Sequence, residues 1–199
     1  MPNAALQQGP LDHLGLAARS ATGEKIDVEL HVLKIPEIIE LRGSPNDAFL
    51  SAAQKIIGAR LPLASPETAK SDGLICFWMG PDRWWLVGEG SELPSAHELR
   101  RTLAAFDASV VEIGDAFATI SVRGDRAQDI LSKGCTIDLH PRTFQADQVV
   151  QTNLAKAQVV LQKMDKEAYR IFVRRSFAEY LWMWLEDASF EYGATVRVD

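Results

Sequence analysis

Four landmarks in this chain recur at a single spacing. Arg42-Gly43 and Arg123-Gly124, Phe49 and Ile130, Leu50 and Leu131, and the S-x-x-E pairs Ser95/Glu98 and Ser176/Glu179 each stand 81 residues apart. A shared offset of this length predicts two like units, about 26–113 and 114–199, forming one compact body over 26–199 behind an irregular arm at 1–25. The offset fails at the hairpin turns, where Gly80 to Arg83 corresponds to Met164 to Glu167, and insertions concentrate in such loops. Each half reads strand, helix, hairpin, helix, strand. That is the β-α-β-β-α-β order of a split βαβ, ferredoxin-like unit, an α+β arrangement in which both helices cover one sheet face.

The local signals fill in this plan. The segment 26–43 carries two apolar runs around Lys34-Ile35-Pro36 and predicts a strand or hairpin. Asn46 is placed to cap a helix through Ile57, with Gly58 ending it. Gly80-Pro81-Asp82-Arg83 has the chemistry of a tight reversal between strands at 74–79 and 84–87. Ser95 with Glu98, and Ser176 with Glu179, each predict a capping box at a helix start. From the second box, Phe177, Tyr180, Leu181, Trp184, Leu185 and Ala188 follow at steps of three and four and predict the buried face, leaving Trp182 and Met183 off the stripe. A single strand is expected over about 152–163, and a last one from Ala194 to Val198.

Composition narrows the function classes. The chain has 199 residues, 47% hydrophobic and 24% charged, and folding at this length buries roughly 70% of the unfolded surface, so no staple is needed. Its net charge of −6 offers no basic footprint for nucleic acid. Cys76 and Cys135 are the only cysteines and form no CxxC pair, which suits a reducing compartment, and neither a signal sequence nor a 20-residue apolar run is seen. The cytoplasm is the expected location.

Reactive constellations are sparse. Gly88-Glu89-Gly90 lacks the third glycine of a phosphate loop, and His13, His31, His97 and His140 never fall at metal-ligand spacing. Ser176 reads as a helix cap rather than a nucleophile, and Cys135 as a packed small hydrophobe. Asp138, His140 and Arg142 could present a carboxylate, an imidazole and a guanidinium to a small ligand, but a turn in which Asp138 accepts backbone hydrogen bonds and Arg142 pairs a nearby acid accounts for them better. The tryptophans are the remaining signal. Trp84 and Trp85 are adjacent in a strand and must face opposite sides. One of them, with Trp182 and Met183, is either a partner interface or is buried by the other half of the fold.

Several strings carry a family resemblance: Leu14-Gly15-Leu16, Gly80 to Leu86, LSKGCTIDLHPRTF at 131–144, QTNLAKAQVVL at 151–161 and VRRSFAEYLWMWLED at 173–187. Together they resemble the gamma subunit family of heterotetrameric sarcosine oxidase, across nearly the whole chain. The resemblance implies a bacterial oxidoreductase complex, acting on a CH–NH donor with oxygen, that demethylates sarcosine to glycine. It yields hydrogen peroxide, and either formaldehyde or methylene-tetrahydrofolate. It implies alpha, beta and delta subunits as partners, with direct contact to the large one. FAD, FMN, NAD and zinc would lie in those other subunits, with tetrahydrofolate as their substrate and no cofactor here. The family is also similar to the folate-binding domain of aminomethyltransferases, a duplicated α+β fold. Where that wider family carries a glycine turn followed by an acidic residue, this chain has Leu154 to Gln162 with neither. The expectation is therefore a structural, non-catalytic subunit, with a folate-binding aminomethyl carrier as the alternative.

Overall fold

The computed structural model describes residues 9–16, 27–34, 37–88 and 93–199. Among these residues eleven strands form two sheets, a mixed α+β architecture. They are β1 (Val28–Leu33), β2 (Ile38–Gly43), β3 (Thr68–Ser71), β4 (Leu74–Gly80), β5 (Arg83–Gly88), β6 (Ala108–Glu112), β7 (Phe117–Arg123), β8 (Val149–Leu154), β9 (Ala157–Lys163), β10 (Ala168–Arg174) and β11 (Ala194–Val198). Four α-helices accompany them: α1 (Asp47–Ile57), α2 (Ala96–Thr102), α3 (Ala127–Ser132) and α4 (Ala178–Ser189). The five-stranded sheet runs β3-β4-β5-β2-β6 and the six-stranded sheet β11-β1-β7-β10-β9-β8. All neighbours are antiparallel except β1 and β11.

Strand alternation divides the interior into three apolar layers. In the five-stranded sheet Leu41, Cys76, Trp84 and Leu86 point outward to meet Phe49 and Ala53 of α1 and Leu99 of α2. In the six-stranded sheet Ile120, Leu161, Tyr169 and Ile171 do the same toward α3 and α4. The opposite faces meet each other, with Ile75, Phe77 and Trp85 from one sheet against Phe117, Val160 and Phe172 from the other. The molecule is thus layered helix, sheet, sheet, helix. Burial pushes the Cys76 thiol up to about 12, so it stays protonated and inert in the outer core.

The hairpin at Gly80 to Arg83, the Asn46 cap, the left-handed Gly58 and the span of β11 fall where the sequence places them. Asn46 accepts the Phe49 N–H at 2.9 Å. Ser95 and Glu98 form the expected capping box, the Glu98 N–H reaching the Ser95 hydroxyl at 3.2 Å and the Ser95 N–H reaching the Glu98 carboxylate at 3.2 Å.

Other expectations are corrected. Ser176 caps nothing: Arg175 to Phe177 make a 3₁₀ turn straight off β10, so the last extended residue is Arg174 and Ser176 already lies within the helical run. Glu179 contacts His13 Nε2 at 3.2 Å instead. The buried face of α4 is accordingly rotated to Ala178, Leu181, Trp182, Leu185 and Ala188, while Phe177 and Tyr180 are exposed. The segments around Lys34 do not form a hairpin, because β1 inserts between β7 and β11 while β2 belongs to the other sheet. The strand expected at 152–163 is two, β8 and β9. They reverse at Ala155-Lys156, with Ala155 at φ 52° and its N–H bonded to Gly134 O. The loop before Gly73 contains β3. Within the arm, Leu11 and Leu16 are buried in the core under α4; residues 1–8 and 17–26 lie outside the described residues.

The two caps make a paired prediction. Ser95→Ala should lower the unfolding free energy by about 1 kcal/mol, the usual cost of losing a helix cap. Ser176→Ala should change it by less than about 0.5 kcal/mol, as for a surface position without a special role. Urea titration of both variants checks this, and equal losses would contradict the cap assignment.

Candidate functional site: a cleft between the two sheets

Between the inner faces of the two sheets lies an open cleft of about 680 Å³, lined from both. Strand register explains its lining. Glu40 stands opposite Trp85, and Arg42 opposite Arg83, on the face of the five-stranded sheet that looks toward the six-stranded one. From the far side come Phe117, opposite Arg174, and Phe172, opposite Val160. The floor is aromatic: Trp85 meets Phe117 with ring centroids 4.7 Å apart and Phe172 at 6.2 Å, both nearly perpendicular.

The polar rim is specific. Glu40 takes the Trp85 indole N–H on Oε2 at 3.2 Å and the Arg42 guanidinium on Oε1 at 2.9 Å. Arg83 donates to Met79 O at 3.1 Å and to Gln151 Oε1 at 3.3 Å, and the Gln151 amide donates to the same Met79 carbonyl at 3.0 Å. Gln151 belongs to β8, so these bonds latch one sheet to the other. Arg174 lies over the Phe117 ring, 4.6 Å from its centroid. Among the described residues neither Arg83 nor Arg174 has a carboxylate within ion-pair distance. The cleft thus sets three guanidiniums against one carboxylate in a chain of net charge −6.

The residues singled out from sequence fall elsewhere or in other roles. Trp84 is fully buried in the outer core, its indole N–H on Pro62 O at 2.7 Å. Trp85 is buried between the sheets, and Trp182 is fully buried on the inner face of α4. Only Trp85 therefore lies in the layer shared with the opposite sheet; Trp84 packs in the core of the five-stranded sheet and Trp182 in that of the six-stranded sheet, and of the four candidate interface residues Met183 alone is a surface side chain, 59% exposed. Asp138, His140 and Arg142 make a turn closed on itself. Asp138 accepts the His140 N–H and the Thr143 hydroxyl, both at 2.9 Å, and these bonds hold its carboxyl below the usual carboxylate range. His140 Nδ1 in turn takes the Arg142 N–H at 3.1 Å. None of the three lines the cleft. No group of three or more His, Cys, Asp or Glu suited to a metal ion occurs among the described residues. Nor is any helix there long and apolar enough to cross a membrane.

Sequence reading missed the cleft because Glu40, Arg42, Gln158 and Arg174 alternate with core residues and look like a solvent face. The available signal was Trp85, which shares the face of Glu40 and Arg42 in the paired strand and needs cover from a second sheet.

Comparison with known proteins places the chain. The model of the sarcosine oxidase, gamma subunit family matches residues 42–191. Sarcosine oxidase subunit gamma from Corynebacterium sp. strain U-96 is 31% identical over 193 residues, covering 95% of this chain and 93% of its own. A chain in the structure of heterotetrameric sarcosine oxidase from Corynebacterium sp. U-96, in complex with pyrrole 2-carboxylate, superposes with a TM-score of 0.85. It is 30% identical, and the match covers 96% of this chain and 98% of that one. Glycine cleavage system aminomethyltransferase T from Bartonella henselae shares the fold at a TM-score of 0.69 and 15% identity, over 97% of this chain and 60% of its own. The chain belongs to the sarcosine oxidase, gamma subunit family.

Proposed function

We propose that this chain is a subunit of a heterotetrameric sarcosine oxidase and serves its assembly without contributing a catalytic group. The observation that carries this reading is the end-to-end likeness to one chain of that complex, 98% of which is matched. In this reading the partners are the alpha, beta and delta subunits, and contact is with the large one. FAD, FMN, NAD and zinc reside in those subunits, tetrahydrofolate is handled there, and the complex works in the cytoplasm. The absence of a carboxylate in the turn and strand at 154–162 supports a non-catalytic role, as does the self-satisfied turn at Asp138.

We also read the fold as an internal duplication. Both halves run strand, helix, three strands, helix, strand, and the sheet orders correspond once β1 is set aside. Gly43 donates its N–H to Asp82 O and Gly124 to Glu167 O, each in the turn of its own half's hairpin, both at 3.0 Å.

The docking face is the outer side of α4. Phe177, Tyr180 and Met183 are 45%, 36% and 59% exposed at steps of three, and Phe177 and Tyr180 pack edge to face. Methionine and aromatic side chains gathered on one uncovered helix face fit a protein partner. In co-expression with the other three subunits, Phe177→Glu/Met183→Glu should leave this chain folded while lowering its recovery in the complex by roughly tenfold or more, since hot-spot loss exceeds about 1.4 kcal/mol. Omitting the chain should lower the yield and thermal stability of the remainder. An intact, fully stable complex without it would contradict the assembly role.

A further inference from the structure

The geometry points to the intersheet cleft as a binding site for a small planar aromatic carboxylate, a role that does not depend on the subunit reading. Three observations converge on that ligand class. First, the space is a slot between two facing sheets, with Ile113 on one wall and Ile137 on the other, above the floor of Trp85, Phe117 and Phe172. A flat apolar body suits a slot, and about 680 Å³ lies within the range typical of small-molecule sites.

Second, the charge is unbalanced in one direction. Arg42 and Arg83 stand directly opposite each other across the β2–β5 ladder, a like-charge placement that disfavours the free protein. The one carboxylate lining the cleft, Glu40, is already engaged by Arg42 and by the Trp85 indole. Among the described residues Arg83 is oriented by neutral oxygens alone, and Arg174 by the Phe117 ring. Both retain donors for an incoming anion, and a guanidinium matches a carboxylate with two parallel hydrogen bonds.

Third, the guanidiniums are held in place before any ligand arrives. Gln151, from the other sheet, bonds both Arg83 and the Met79 carbonyl that Arg83 also donates to, and the Arg174 guanidinium rests over the Phe117 ring, 4.6 Å from its centroid. Groups fixed in advance lose less freedom on binding.

Isothermal titration of the full chain with 2-naphthoate, alongside the neutral 2-naphthamide of the same shape, tests the proposal. One naphthoate should bind per chain, and the amide should bind roughly tenfold or more weakly, the scale of one lost charge-assisted contact. Arg83→Gln and Arg174→Gln should each weaken naphthoate by about tenfold, with an unchanged melting temperature for Arg174→Gln, whose side chain takes no part in the latch between the sheets. Gln158→Trp, at an exposed position lining the cleft, should fill the slot and abolish binding. Arg126→Gln, on the surface away from the cleft, is the control and should bind as the parent does. No heat at millimolar naphthoate, equal affinity for the amide, or parental binding by both arginine variants would overturn the proposal. If naphthoate binds while the chain fails to join an oxidase complex, the site stands and the subunit reading falls.

Discussion

Trp85→Ala is expected to cost roughly 3–5 kcal/mol of stability, the range for emptying a buried large aromatic position. This residue does more than fill space in its own sheet. Its ring touches Phe117 and Phe172 of the other sheet, at 4.7 and 6.2 Å between centroids, and its indole N–H is the donor that holds Glu40. Removing it hollows the middle layer at the floor of the cleft. Trp85→Phe should recover more than half of the loss, because it restores most of the aromatic contact and lacks only the bond to Glu40. Urea unfolding followed by far-ultraviolet circular dichroism measures both. A loss under about 1 kcal/mol for the alanine variant, the scale of an ordinary surface change, would contradict the central position assigned to Trp85.

Gly124→Ala is expected to cost about 3 kcal/mol or more, through the backbone rather than the core. Gly124 has φ 116°, and a Cβ there would sit 2.2 Å from Asp27 O and 3.2 Å from Val28 Cα. An L side chain is disfavoured at that φ, and the clash is with backbone, which cannot rotate aside. Asp27 leads into β1, the strand wedged between β7 and β11, so relief requires shifting that strand. The expected signature is a lowered urea midpoint together with accelerated amide exchange in Val28 to Leu33. Unchanged exchange in β1 alongside the loss of stability would show that the strain is absorbed elsewhere.

Much of the secondary structure was legible because its signals are local. Asn46 and Gly58 bracket α1, Gly80 to Arg83 make a turn, and Ser95 with Glu98 start α2, each through chemistry within a few residues. Ser176 shows the limit of such signals. Its motif matches that of Ser95, but β10 runs directly into a 3₁₀ turn, so the position lacks the extended backbone a cap requires. The face of α4 was misread for a related reason. Two overlapping stripes satisfy helical spacing, and only packing selects the one with Trp182 inward and Phe177 outward.

The Ala155-Lys156 reversal escaped detection because alanine gives no turn signal. Its left-handed conformation is supported by Gly134 O and by the Tyr180 hydroxyl accepting the Lys156 N–H, both contacts distant in sequence. The placement of β1 was equally hidden, since its partners β7 and β11 come from the far end of the chain. The cleft was the least legible feature. It exists only where two separately formed sheets meet, so no continuous stretch of sequence contains it. Its arginines alternate along strands in a pattern that a solvent-facing sheet would share.

Trp84, Trp85 and Trp182 are buried, and we propose that the chain joins an oxidase complex through the outer face of α4. The most direct test is native mass spectrometry of material purified through a tag on this chain after co-expression with the other three subunits. The expected result is a single heterotetramer containing one copy of it, dissociated by Phe177→Glu/Met183→Glu. Recovery of this chain as a free monomer, with the remaining subunits assembled and active without it, would contradict the proposal.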